Sequence, residues 1–207
     1  MARSSALVVV DLQNDFLPGG ALGVPEGDQV IPVLNQYIRQ FSAAGLPVYA
    51  SRDWHPPVTK HFKEYGGVWP AHCVQGTRGA EFHPDLLLPE NAIVVSKGMD
   101  PERDAYSAFD AWESDGTTLA ESLRRRGVNH IYVGGLATDY CVKWTAIEAP
   151  KNGLEMTVLV DASLGVNLQP HDSERAIAEM VRQGAELTTV ERLRLQALRR
   201  STSAPGQ

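Results

Sequence analysis

At 207 residues, with 43% hydrophobic and 21% charged residues, the chain is long enough to bury a full core, and no Pro/Ser-rich linker divides it into two domains. Its net charge of −6, with no basic run longer than Arg124-Arg125-Arg126, argues against nucleic acid or an anionic membrane as a partner. Two cysteines, Cys73 and Cys141, are too few for a disulfide framework and suit a reducing compartment.

The first residues lead into an apolar run too short for a signal sequence or a membrane span, so a cytoplasmic protein is expected. That run, about 6–11, reads as a strand closing on Asp11, and a helical pattern follows over about 27–44. A second strand, about 47–53, closes on Asp53. Residues 54–91 carry almost no regular pattern yet hold His55, His61, His72, Trp54 and Trp69, and an uncovered loop of that length is usually functional. A third strand, about 92–97, closes on Lys97, and a second irregular stretch runs over 98–115. Then come a helix at about 117–126, a strand at 130–135, a helix at 138–149 carrying Cys141 and stopped by Pro150, a strand at 155–161, a helix at 171–183, a strand at 185–190 and a helix at 191–200. The small, polar tail 201–207 is expected to be disordered.

The strands are rich in Val, Ile and Leu without strict alternation, as strands buried on both faces are. Strand and helix alternate. The expected fold is therefore a single α/β domain over 1–200, a mostly parallel sheet of about six strands with helices on both faces, in a Rossmann-like sandwich. Trp54, Trp112 and Trp144 are expected in the core or an interface, and His83, His130 and His171 at the surface or in caps.

Asp11, Asp53, Lys97 and Cys141 all lie at or just beyond the carboxyl ends of strands, the edge where open α/β sheets bind ligands. Thr138 is placed to cap the helix carrying Cys141, and a thiol in that first turn feels free N–H groups and the dipole, which lower its pKa from about 8.5. The same N–H groups can hold an oxyanion. The competing reading is a small thiol packed under the helix. Asp11 is either a structural cap or ion pair or a general base, and Lys97 either a surface lysine or the cation that keeps Asp11 ionised. Asp53 and His55 stand two residues apart, on one side of an extended segment, with His61 and His72 downstream. Such a set suits a divalent metal, zinc, iron or manganese, unless these are merely polar loop residues. Cys73 reads as a packed loop cysteine. Phe16, Leu22, Trp69 and Tyr106 come from loops over this edge, either as ordinary packing or as a slot for a planar ring.

With these residues in hand the chain resembles the nicotinamidases, also called pyrazinamidases, of the isochorismatase-like cysteine hydrolases, over about 6–190. The resemblance rests on Val-Val-Val-Asp11-Leu-Gln-Asn-Asp-Phe16, Asp53-Trp-His55-Pro, Trp69-Pro-Ala-His72, Ser96-Lys97-Gly, Asp104-Ala-Tyr106-Ser-Ala-Phe and Gly135-Leu-Ala-Thr-Asp-Tyr-Cys141-Val. It implies a triad of Asp11, Lys97 and Cys141, an oxyanion hole from the amides of Ala137 and Cys141, and a cis peptide at Leu136-Ala137. It further implies a metal on Asp53, His55 and His72, with His61 at the variable ligand position, and a ring pocket lined by Phe16, Leu22, Trp69, Tyr106 and Ala137. The implied activity is hydrolysis of nicotinamide or pyrazinamide through a thioester, in NAD salvage, with one divalent ion, zinc first and iron or manganese next. A homo-oligomer is compatible with it. Two rivals stand beside this one: an amidase of the same superfamily for another small amide or ureido compound, for which the metal is surplus, and a catalytically silent binding protein on the same scaffold.

Overall fold

Five of the six residues of Ser5–Val10 are buried, which is why this run shows no polar alternation. Its side chains still alternate in direction: Leu7 and Val9 enter one apolar cluster, Ala6, Val8 and Val10 the other. This strand, β1, is thus the centre of a three-layer sandwich. The computed structural model describes residues 4–193, so the tail expected at 201–207 and most of the helix expected at 191–200 lie outside the described residues.

Around β1 stand β2 (Val48–Asp53), β3 (Ile93–Lys97), β4 (His130–Leu136), β5 (Glu155–Leu164) and β6 (Glu186–Thr188), in the order β3-β2-β1-β4-β5-β6. Every pairing is parallel. Helix α1 (Val30–Ala43) packs Ile31, Leu34, Tyr37, Ile38 and Phe41 onto the face of Leu7 and Val9. Helices α2 (Leu119–Arg125), α3 (Lys143–Glu148) and α4 (Asp172–Arg182) cover the opposite face through Leu119, Leu123, Ala146 and Met180. Each fully buried Leu or Ile side chain of this kind contributes about 1.5–3 kcal/mol. With β2 on one side of β1 and β4 on the other, the winding reverses at the β1/β4 boundary, and the crevice opens beyond their carboxyl ends.

Three features differ from the sequence expectation. β5 runs on to Leu164 rather than stopping near 161, because a register shift against β4 between Val133 and Gly135 lets Gly135 pair with Ser163 and Leu136 with Leu164. Asp161, the last residue of the expected strand, is satisfied inside the longer one by the Tyr37 hydroxyl at 2.8 Å and the Val190 N–H at 2.8 Å. His130 is buried rather than at the surface, its ring held 2.8 Å from the Thr157 hydroxyl on β5, and of the two places expected for Trp112 and Trp144 the core is excluded, at 38% and 39% exposure. Among the described residues no helix is long and apolar enough to cross a membrane.

Candidate active site

The register of β2 and β3 pairs Asp53 with Lys97. Lys97 is fully buried, which excludes the surface-lysine reading, and a buried ammonium needs anionic partners. It has them: Asp11 Oδ2 lies 3.0 Å from its Nζ, Asp53 Oδ1 forms a close ion pair, the Ala105 carbonyl accepts at 3.3 Å, and Cys141 Sγ lies 3.6 Å away. The Asp11 contact is an ion pair without hydrogen-bond alignment. Asp11 leaves β1 in a left-handed conformation (φ 52°), and its other oxygen accepts the Ser51 hydroxyl at 2.7 Å.

These contacts set the charges. Burial pushes the Asp11 carboxyl above its ordinary range, with Asp53 adding to the shift and Lys97 and Ser51 opposing it. Burial by itself would strip Lys97 of its proton, but Asp11 and Asp53 hold it protonated, well above its usual value. For Asp53 burial is outweighed by Lys97 and by His55 and His72, so this carboxylate stays ionised below the usual range. Cys141 differs from the expectation of a lowered thiol. Burial drives it well above its ordinary value, Lys97 opposes, and Asp11 and Asp53 reinforce the rise. Any contribution of the helix N-terminus is overridden, because the thiol is desolvated and shares its pocket with two carboxylates. The resting site is therefore a neutral thiol facing a carboxylate whose basicity burial has raised.

The backbone at Cys141 also differs from expectation. Ala137, not Thr138, is the cap, and Thr138–Val142 is a π-helical turn in which the Val142 N–H reaches back to the Ala137 carbonyl at 3.1 Å. The peptide Leu136-Ala137 is cis, as the resemblance implies.

Among the described residues one group of potential metal donors converges: Asp53, His55 and His72, each offering an atom within 4.8 Å of the others. The long loop folds back to achieve this, with His55 bridging Val74 in parallel. The Nδ1 of His55 donates to the Gly98 carbonyl at 2.9 Å and that of His72 to the Pro70 carbonyl at 2.7 Å. Their Nε2 atoms face the carboxylate, 3.6 and 3.9 Å from Asp53 Oδ2. Burial also holds His72 below its ordinary pKa, in the neutral form that a metal takes. Two imidazoles oriented by carbonyls beside an ionised carboxylate fit a divalent transition metal. Gly98 is required here, since a Cβ on it would meet the His55 ring at 2.4 Å. His61 stands beside the group, its ring 4.8 Å from that of His55, but its nitrogens face the Arg103 carbonyl and the Asp104 carboxylate, each at 2.6 Å.

Phe16, Leu22, Trp69, Tyr106 and Ala137 all line one cavity with Asp53, His55, His61, His72 and Cys141. The Trp69 indole donates to the Tyr106 hydroxyl at 3.0 Å and meets Tyr140 edge-on at 5.3 Å. The cavity is an apolar slot with a thiol and a carboxylate–imidazole group in its walls.

Several residues escaped the sequence reading. Gln13 clamps the backbone of Asp53, donating to its carbonyl at 2.7 Å and accepting its N–H at 2.7 Å, and Asp15 accepts the N–H of Cys73, next to His72, at 2.7 Å. Both lie within the Asp11–Phe16 motif, which was their one signal. Tyr140 also lines the slot and adjoins Cys141 in sequence. Val166 carries no signal, because the strand before it reads as ending too early.

The isochorismatase domain model matches residues 5–192. The chain is 43% identical over 201 residues to the nicotinamidase of Escherichia coli strain K12, covering 89% of this chain and 94% of that one. It is 42% identical over 165 residues to the nicotinamidase/pyrazinamidase of Mycobacterium tuberculosis, covering 78% and 87%. A crystal structure of the pyrazinamidase of Pyrococcus horikoshii in complex with zinc superposes with a TM-score of 0.83 at 49% identity, covering 90% and 99%. With the six-stranded parallel sheet and the site at its carboxyl edge, these likenesses establish that the chain belongs to the isochorismatase family.

Proposed function

We infer that the protein is an amidohydrolase that converts nicotinamide and water to nicotinate and ammonia, accepts pyrazinamide, and serves NAD salvage in the cytoplasm. The observation that carries this reading is the pairing, across one ring-sized apolar slot, of the Asp11–Lys97–Cys141 group with the Asp53–His55–His72 group. The similarity to the Escherichia coli nicotinamidase supports it. An amidase for aliphatic or ureido compounds would need neither the aromatic walls nor the donor group.

In this reading Asp11 takes the Cys141 proton as the thiolate attacks the carboxamide carbon. The amides of Ala137 and Cys141 receive the oxyanion, and Asp11 returns the proton to the leaving nitrogen. Ammonia departs and a thioester on Cys141 remains. Asp11 then accepts a proton from water as it attacks the thioester, the tetrahedral species collapses as Asp11 passes that proton to the Cys141 sulfur, and the acid leaves as nicotinate, its carboxyl proton taken up by ammonia as ammonium. Lys97 holds Asp11 and Asp53 at fixed positions and stabilises the thiolate as it forms. Asp53, His55 and His72 would hold a divalent ion, zinc first and iron or manganese next; His61 would join only by giving up a hydrogen bond to Arg103 or Asp104. When bound, such an ion would supply a coordination position for the pyridine nitrogen and so orient the ring. Release of ammonia and nicotinate from nicotinamide by the purified protein tests the assignment.

Removal of the metal is expected to raise KM for nicotinamide sharply, whereas benzamide, lacking the ring nitrogen, stays a poor substrate with or without it. His55→Ala and His72→Ala should lose metal, and His61→Ala should retain more of it, since water can fill that position. Metal content and kinetics of chelated and reconstituted protein check this. Nicotinamide kinetics unchanged after verified metal removal would refute the orienting role.

A further inference from the structure

Asp139, in the turn between Ala137 and Cys141, is 7% exposed and spends both carboxylate oxygens on the loop that follows β5. Oδ1 accepts the Val166 N–H at 2.9 Å and Oδ2 the Asn167 N–H at 2.7 Å. Asn167 is itself in a left-handed conformation (φ 51°) and accepts the Ser173 N–H at the start of α4 at 2.9 Å. The loop can come this close only because Gly165 has no side chain: a Cβ there would lie 1.9 Å from Ser173 Oγ and 3.1 Å from Asp139 Oδ1. Val166 lines the slot that holds Cys141. One carboxylate thus ties a wall of the slot to the turn that carries the nucleophile.

We propose that Asp139 is a positioning residue for substrate specificity: by clamping the amides of Val166 and Asn167 it fixes the width of the slot at Val166, and so decides which substituted rings fit beside Cys141. This rests on the nicotinamide reading for its substrate, though not for its geometry. Two charge-assisted bonds to successive amides hold a backbone far more tightly than van der Waals contact does, and a loop released from them can retreat. The slot then widens, the ring is held less well, and rings with an added methyl are no longer turned away.

Asp139→Ala, Asp139→Asn and Val166→Ala should be compared with wild type on nicotinamide and on nicotinamides methylated at ring position 5 or 6. Asp139→Ala should raise KM for nicotinamide about tenfold or more with a smaller change in kcat, and cut the preference for the unsubstituted ring by about tenfold. Asp139→Asn should do so less, since its amide retains one acceptor. Val166→Ala should relax the preference as well, and Asp139→Ala added to it should relax it little further. Hydrogen exchange, which needs no substrate, should show faster exchange of the Val166 and Asn167 amides in both Asp139 variants with β1 and β4 unchanged. A fall in kcat with KM and ring preference intact would assign Asp139 to the nucleophile turn instead, and unchanged exchange at Val166 and Asn167 would remove the clamp; either overturns the proposal. Absence of nicotinamide turnover in the wild type would count against the substrate reading, while the exchange measurement still decides the clamp.

Discussion

Cys141→Ala is expected to lower kcat for nicotinamide by on the order of 10⁴-fold or more, leaving metal content close to wild type. Cys141 comes from the turn after β4, whereas Asp53, His55 and His72 come from β2 and the loop beyond it, so truncating the thiol removes no donor. Nor does it remove an obligatory partner of Lys97, which keeps Asp11 and Asp53. What is lost, in the proposed mechanism, is the thiol that forms a covalent bond to the carboxamide carbon and later releases it. Nicotinate formed at more than a trace by the purified, metal-replete variant would rule out the thioester route, and a mass increment of one nicotinoyl group on wild-type Cys141 after rapid quenching would support it.

Asp11→Asn should cost about 10³-fold in kcat, close behind, because the amide can neither accept the thiol proton nor deliver it to ammonia. The thiol lies well above its ordinary pKa, so few molecules ionise without a base. The pH profile carries the sign of the same argument. In the proposed mechanism Asp11 acts when ionised, and burial raises its pKa, so kcat/KM should be retained above that raised value and lost as pH falls through it, with the acid limb above the usual carboxylate range. Lys97 is held protonated well above its usual value and should impose no loss near neutrality. In Asp11→Asn the acid limb from this group should vanish. Wild-type kcat in that variant, or an acid limb that persists unchanged, would require another base.

Periodicity and composition alone located the six strands and the parallel sheet, since runs such as Ala6–Val10 bury both faces and cannot alternate. The edge rule for such sheets then drew Asp11, Asp53, Lys97 and Cys141 together, because a residue closing a buried strand has only one crevice to enter. The Asp-x-His and Trp-Pro-x-His spacings made the donor group legible before the long loop could be seen to fold back. Beyond that, contacts between distant segments decided the outcome. The ionisation of Cys141 is a sum of burial and of charges at the carboxyl ends of β1, β2 and β3, none of which its own helix turn encodes. The partners of His61 depend on where residues 103 and 104 come to rest, and the place of Val166 on a bulge that carries β5 three residues past the end its sequence suggests. Local pattern encodes what a segment buries; which charges meet in that buried space is set only when the strands are laid side by side.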